Sequence, residues 1–235
     1  MNAKLNIYVV RHGKTMMNTL ERVQGWCDSP LTLEGIEVAR FLGYGLSDIK
    51  FRTAYCSDLK RTRQTVQIIL GAGDQQDIPI IELAGLREAC FGSFEADFNN
   101  SMWRSAALFL QYVSPGDMYN DLLEKKVSHS DILGAIKRLD TMGMAESYEQ
   151  VEARTQESLK EIAENEITSG NGNILVVAHG MSILAMLLSL GGDRLIKGHL
   201  DNAAVCKVTY QDGKFTVESM GDMSYIEHGR KASFS

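Results

Sequence analysis

Several features that would assign the chain to a special class are missing from its 235 residues. No apolar run is long enough for a membrane-spanning helix, and no charged-then-apolar leader precedes the first apolar segment. We therefore expect neither a membrane association nor a secretion signal. The four cysteines, at positions 27, 56, 90 and 206, lie far apart and form no Cys-x-x-Cys pair. This spacing favours reduced thiols in a cytoplasmic protein over a zinc site.

Positive charge is also scarce. The chain has 24 Lys and Arg against 30 Asp and Glu, a net charge of −6, which argues against nucleic acid as a general partner. No internal repeat or low-complexity segment is present. An apolar content of 44% is typical of a globular protein with a full core. We expect a single domain over residues 1–235, interrupted by one insertion.

Short apolar runs alternate with helical patterns along most of the chain. Strands are predicted over residues 7–10, 53–56, 79–83, 174–178, 203–210 and 214–220, the last two joined by a hairpin turn at 211–213. Helices are predicted over residues 33–42, capped by Thr32, over 59–70, capped by Ser57 and Asp58, and over 148–167 and 181–190. This alternation predicts an α/β fold, a three-layer sandwich whose mostly parallel central sheet is flanked by helices.

Residues 97–147 break this alternation. They contain helical patterns over 105–113 and 131–139 and a turn signal at 114–117, but no strand pattern. We predict a helical insertion that lies over the active edge of the sheet. The alternative is a surface subdomain that does not contact substrate.

Two histidines follow directly after predicted buried strands. The first strand ends in Arg11-His12-Gly13, and the strand over 174–178 ends in His179-Gly180. Ligand sites of open α/β sheets lie just beyond the carboxyl ends of the strands. We therefore expect both imidazoles and the Arg11 guanidinium to meet at one site.

The motifs around these histidines resemble those of the histidine phosphatase superfamily. They occur in the family's order: Arg-His-Gly-x-Thr at 11–15, Asn18, a phosphate-loop segment at 24–35, Ser57-x-Leu59-x-Arg61 with Thr65, an acid-bearing segment at 86–95, His179-Gly180 and Asn202. Each motif alone is weak, but the ordered set is specific. The resemblance implies phosphoryl transfer on a small phosphorylated substrate.

Physical chemistry supports the same roles for the charged residues. His12 is the candidate nucleophile, and guanidinium charge from Arg11 and Arg61 should lower its pKa and keep it neutral. The same arginines can bind phosphoryl oxygens bidentately. We expect His179 to donate a hydrogen bond to the phosphoryl group and Glu88 to protonate the leaving oxygen.

The remaining site residues are assigned more simply. We expect Asn18, Gln24, Gly25 and Gly180 to bind substrate. Other candidates are read as structural or as surface residues: Glu95 as a surface carboxylate, Arg87 as the partner of a carboxylate, Trp26 as a residue at or beside the pocket mouth, and His129, His199 and His228 as structural or surface histidines. No metal and no cofactor is expected, and the oligomeric state stays open.

Three functions remain in competition. The leading one is a cofactor-independent phosphomonoesterase that acts through phosphohistidine. The second is a 2,3-bisphosphoglycerate-dependent phosphoglycerate mutase, and the third is an inactive phosphate- or phosphoprotein-binding module. The 97–147 segment lacks the basic, proline-rich character of the mutase insertion, which favours the phosphatase.

Overall fold

A mixed six-stranded sheet forms the centre of the computed structural model, which describes residues 3–196 and 198–233. In chain order the strands are β1 (Lys4–Arg11), β2 (Phe51–Cys56), β3 (Ile80–Glu82), β4 (Gly172–Ala178), β5 (Val205–Gln211) and β6 (Lys214–Asp222). Their order across the sheet is β3-β2-β4-β1-β5-β6. The first four are parallel to one another, and the β5–β6 hairpin is antiparallel, as its short turn requires.

Helices cover both faces of this sheet. The α-helices are α1 (Met16–Thr19), α2 (Leu33–Gly45), α3 (Lys60–Ala72), α4 (Asn99–Phe109), α5 (Pro115–Leu123), α6 (His129–Leu139), α7 (Tyr148–Ile167), α8 (Gly180–Leu187) and α9 (Ser224–Ala232). None of the described helices is both long enough and apolar enough to cross a membrane.

Alternate residues of β1 build the two cores. Ile7 and Val9 face the cluster that contains residues of α7 and α8, whereas Tyr8 and Val10 face residues of α2, α3 and α9. Successive side chains of a strand point to opposite faces, so an uninterrupted apolar run is what a strand between two helical layers needs. The predicted three-layer α/β sandwich is confirmed.

The insertion consists of three helices, α4, α5 and α6, and has its own apolar cluster. Met102 of α4 and Ile132 of α6 pack in this cluster together with Val151 of α7 and Ala185 of α8. The insertion therefore rests on the helix that directly follows β4. The turn predicted at residues 114–117 is instead the start of α5, because Ser114 caps the helix and Pro115 occupies its first position.

Two local expectations about helix ends were wrong. Ser57 and Asp58 do not cap α3, whose N-cap is Leu59 without a side-chain hydrogen bond. The Ser57 hydroxyl contacts His179 instead, and the Asp58 carboxylate binds Arg87. Helix α9 was not predicted. It packs on α2 so closely that a Cβ on Gly229 would lie 1.8 Å from the Phe41 carbonyl oxygen.

Candidate active site

Strand register brings the two predicted histidines together. Arg11 is the last residue of β1 and pairs with Ala178, the last residue of β4, so His12 and His179 leave the sheet at the same level. Their ring centroids are 5.2 Å apart, and both side chains are buried. The fold therefore brings both imidazoles together at one edge of the sheet, as the sequence predicted.

His12 has one ring nitrogen fixed by the backbone. Its Nδ1 lies 2.8 Å from the Gly13 carbonyl oxygen, which can only accept, so Nδ1 carries the proton and Nε2 keeps its lone pair. Burial lowers the pKa of His12 well below its ordinary value, and the charges of Arg61 and Arg11 lower it further. A neutral imidazole with an unprotonated Nε2 is the form that can attack phosphorus.

His179 has both nitrogens engaged. Its Nδ1 accepts a hydrogen bond from Arg61 Nε at 3.1 Å, so Nε2 carries the proton and donates to the Ser57 hydroxyl at 2.7 Å. Burial, followed by the charge of Arg61, lowers the pKa of His179 well below its ordinary value. A hydrogen bond from His179 to a phosphoryl group therefore has to compete with Ser57.

Arg61 is fully buried and holds a loop in place. It donates from Nη1 to the Cys27 carbonyl at 2.9 Å and to the Asp28 carboxylate at 3.0 Å, and from Nη2 to the Gly25 carbonyl at 2.7 Å. Together with the bond to His179, four N–H groups of the guanidinium donate hydrogen bonds within the protein. Arginine has about five such groups, so about one is left for a substrate. Arg61 thus ties the loop formed by residues 24–28, the 24–28 loop, to His179.

Two buried donor groups, one at the end of β1 and one in the 24–28 loop, have no hydrogen-bond partner among residues 3–196 and 198–233. They are Arg11 Nε and Gln24 Nε2. Arg11 donates from Nη1 to the Leu200 carbonyl, and the Gln24 side-chain oxygen accepts from the Thr15 hydroxyl at 2.6 Å, so each side chain is held in place. A buried unpaired donor costs about 1–3 kcal/mol, which an anionic ligand would recover.

The side chain of Glu88 is buried and lies against the N-terminus of α8. Its carboxylate accepts hydrogen bonds from the backbone N–H groups of Met181 at 3.1 Å and Ser182 at 2.8 Å. Between Glu88 and Arg11 lies Gly180, where an added Cβ would be 3.8 Å from Glu88 Oε2 and 3.5 Å from Arg11 Nε. The helix N-terminus thus fixes the candidate acid beside the candidate anion-binding arginine.

Glu95 is not a surface carboxylate, and that expectation was wrong. It accepts hydrogen bonds from the backbone N–H groups of four residues, Gly25, Trp26, Cys27 and Phe91, at 3.0–3.1 Å. A Cβ on Gly25 would lie 2.2 Å from both Glu95 Oε1 and the Ala89 carbonyl oxygen, so only glycine fits there. Both backbone polar groups of Gly25 are engaged by side chains, the N–H by Glu95 and the carbonyl by Arg61.

Asn18 lies at the edge of this arrangement. Its side-chain oxygen accepts from the Thr15 backbone N–H at 3.1 Å, which closes a capping box on α1, and from Asn202 Nδ2 at 3.4 Å. Asn202 also donates to the His12 carbonyl oxygen at 3.0 Å. The pair Asn18 and Asn202 thus links α1 to the segment before β5, next to the backbone of His12.

Comparison with known proteins agrees with this geometry. The model of the histidine phosphatase superfamily (branch 1) matches residues 7–112 and 118–223. The chain belongs to this superfamily.

Its relatives in the superfamily include both mutases and phosphatases. A crystal structure of phosphoglycerate mutase from Bacillus anthracis is 38% identical, covers 97% of this chain and 98% of its own, and superposes with a TM-score of 0.91. A 2,3-bisphosphoglycerate-dependent phosphoglycerate mutase 2 from Gloeobacter violaceus is 29% identical over 78% of this chain and 74% of its own. A metal-independent phosphoserine phosphatase from Arabidopsis thaliana is 28% identical over 94% and 82%. The specific reaction is therefore not fixed by similarity.

Sequence reasoning missed one residue that organises this site. Arg154 of α7 donates to the backbone carbonyls of Gly85, Arg87 and Glu88 and binds the Glu146 carboxylate. It holds the backbone that carries Glu88. An isolated arginine on an amphipathic helix carries no local signal of such a contact.

Arg87 and Trp26 lie beside the site. Arg87 binds the Asp58 carboxylate through two nitrogens, as expected for a residue that pairs with a carboxylate, and its guanidinium lies 4.9 Å from the Trp26 ring. Trp26 donates from its indole nitrogen to the Glu88 carbonyl at 3.0 Å. Both side chains thus support the segment that carries Glu88.

The loop cysteine, Cys27, is not activated as a second nucleophile. Burial and the neighbouring Glu95 raise the pKa of Cys27 to about 12, so its thiol stays protonated. Among the described residues, no group of three His, Cys, Asp or Glu side chains is placed to share a metal ion. The charges that act on His12 are those of Arg61 and Arg11.

Proposed function

We propose that the protein is a cofactor-independent phosphomonoesterase that transfers the phosphoryl group of its substrate to His12 and then to water. The observation that carries this proposal is the state of His12, a buried neutral imidazole with Nδ1 bound to the Gly13 carbonyl and Nε2 unprotonated. The unpaired donors of Arg11 and Gln24 support an anion beside it.

The first step forms a nitrogen–phosphorus bond. The Nε2 lone pair of His12 attacks phosphorus, and the bond from phosphorus to the ester oxygen breaks. That oxygen keeps the electron pair of the broken bond and receives a proton from Glu88, whose carboxylate takes up this proton when the negatively charged substrate binds. Arg11 and Gln24 donate hydrogen bonds to the phosphoryl oxygens, which carry the charge in the transition state.

The second step regenerates the enzyme. A water molecule attacks phosphorus while Glu88 takes its proton, and the nitrogen–phosphorus bond breaks with its electron pair returning to Nε2. Inorganic phosphate leaves, and His12 is again neutral. Protein side chains alone supply the charge compensation in this scheme.

Mutase activity is the second candidate, because mutases are among the relatives. A mutase has to hold a doubly phosphorylated intermediate, which requires surplus positive charge in the covering segment. Between residues 97 and 147 the chain has seven acidic and five basic residues. Lys125 of this segment is itself paired with Asp193 at 3.3 Å. This charge balance supports the phosphatase.

The two candidates differ in their products from 3-phosphoglycerate. We expect slow phosphate release and no efficient formation of 2-phosphoglycerate, with or without added 2,3-bisphosphoglycerate. Both products are measured in the same tubes, with a phosphate ester of a simple alcohol as the positive control for hydrolysis. Fast isomerisation that depends on the bisphosphate, with little free phosphate, would establish the mutase instead.

We also propose a cytoplasmic location. All four cysteines are free thiols, three of them buried, as is usual in a reducing compartment. Cell fractionation followed by immunodetection tests this, and recovery in a secreted fraction would contradict it.

A further inference from the structure

A large apolar cavity lies between the insertion and α8. Its volume is about 930 Å³, near the upper end of the ~300–1,000 Å³ range of pockets that hold drug-sized ligands. Most of its wall is apolar, including Trp103, Met118, Leu122, Ile132, Leu184 and Ile196. A three-carbon phosphate such as phosphoglycerate or phosphoserine would leave most of this volume unfilled.

The cavity adjoins the candidate active site at Met181 of α8. The backbone N–H of Met181 binds Glu88, and the side chains of Met181, Leu184 and Leu188 line the cavity. Met181 and Leu184 lie three residues apart on one face of α8, and Leu188 follows directly after the helix. Glu88 therefore lies next to a residue of the apolar wall, close to where the leaving group of a bound ester has to be.

The charged and titratable groups of the cavity wall are already neutralised or paired. Lys125 is paired with Asp193, and His199 lies 3.1 Å from the Asp201 carboxylate. His129 stacks against Tyr148, and burial lowers its pKa, so it is neutral at pH 7. Among the described lining residues, no cation is left over for a carboxylate or a second phosphate of the substrate.

We propose that this cavity binds the alcohol part of the substrate, and that this part is a large, uncharged and mainly apolar aliphatic or aromatic group. The proposal rests on the phosphomonoesterase function, in which Glu88 protonates the leaving oxygen beside Met181 of the cavity wall. It adds the substrate class, which contacts to the phosphoryl group alone do not define.

The test is a series of primary alkyl phosphates from two to eight carbons, below micelle-forming concentrations, with kcat/KM from phosphate release. The leaving oxygens of this series have nearly the same basicity, so the profile reports binding of the chain. We expect kcat/KM to rise about fourfold for each added methylene, as burial of apolar surface predicts. We also expect the eight-carbon ester to exceed 3-phosphoglycerate at least tenfold.

Two matched glycine variants localise the effect. Gly116 lines the cavity, and an added Cβ there would meet only the Ser114 hydroxyl, at 3.6 Å. We expect Gly116→Trp to lower the ratio of eight-carbon to two-carbon kcat/KM at least tenfold. Gly71 of α3 does not line the cavity and has open space around its Cβ position, so Gly71→Trp should keep the wild-type ratio.

The outcomes separate this proposal from the function on which it rests. Phosphate release with a flat or falling chain-length profile in the wild type would overturn the apolar substrate class and leave the phosphomonoesterase intact. The wild-type profile decides this even if Gly116→Trp does not fold. No release from any ester, with no phosphohistidine formed, would overturn both.

Discussion

At the scale of single residues, the two buried histidines differ in what their ring nitrogens contact. His12 has only Nδ1 bound, to a carbonyl, whereas His179 receives a hydrogen bond from Arg61 and donates one to Ser57. Nucleophilic attack needs a free lone pair, and only His12 has one. The contacts of His179 and Arg61 fix the positions of these two side chains and of the loop.

Replacing Glu88 tests the acid role at this scale. We expect Glu88→Gln to lower kcat/KM for alkyl phosphates by about 10²- to 10⁴-fold and to affect nitrophenyl phosphate much less. The reason is that nitrophenolate leaves as a weakly basic anion and needs little protonation. Steady-state kinetics on both esters measures the difference, and equal losses on the two would assign the acid role to another group.

At the scale of elements, the 24–28 loop is organised by one carboxylate. Glu95 accepts hydrogen bonds from three consecutive backbone N–H groups of the loop, and Arg61 donates hydrogen bonds to two backbone carbonyls of the loop. The loop also contains Gln24, one of the two residues with an unpaired buried donor. The shape of the loop, and therefore the direction in which Gln24 Nε2 points, depends on these contacts.

Glu95→Gln should therefore impair catalysis, because it removes the charge and one acceptor oxygen from this loop. We expect kcat/KM to fall by about 10- to 100-fold, in line with charge-assisted hydrogen bonds worth ~1.5–3 kcal/mol each. Asp140→Asn is the matched control. Asp140 also accepts from four backbone N–H groups, but it holds residues 93 and 142–145.

We expect Asp140→Asn to lower thermal stability without a comparable loss of kcat/KM. Kinetics and thermal unfolding of both variants measure the contrast. Equal losses of kcat/KM in the two variants would show that Glu95 has only a general structural role.

The strands could be predicted from the sequence, but several side-chain contacts between distant elements could not. The strands, their apolar runs and the residues at their ends were predictable, because each is a local pattern and parallel strands share one carboxyl edge. Glu95 and Arg154 were not, since their partners lie up to 70 residues away and nothing near them in sequence indicates those contacts. Capping of α3 by Ser57 failed for the same reason, as His179 takes that hydroxyl.

At the scale of the whole molecule, burying two neutral histidines links stability to pH. The pKa values of His12 and His179 are lowered well below 6.5 in the folded state. Below pH 6.5 the unfolded chain therefore binds more protons than the folded one, and stability falls as pH falls. Each such histidine contributes a slope of up to about 1.4 kcal/mol per pH unit.

Urea unfolding between pH 7 and pH 5 measures this slope. We expect His12→Gln to reduce it by up to about 1.4 kcal/mol per pH unit relative to the wild type. His228→Gln is the control, because the His228 side chain is exposed on α9, and it should keep the wild-type slope. A wild-type slope in His12→Gln would show that His12 is not held neutral by the fold.

The most direct test of the central claim is to trap the phosphorylated enzyme. The protein is mixed with labelled phosphate ester and quenched within milliseconds, and the adduct is mapped by peptide analysis. We expect an adduct on His12 that is stable to base and labile to acid, and none in His12→Ala, whose turnover should fall to background. Full turnover in His12→Ala, or an adduct on any other residue, would contradict the account.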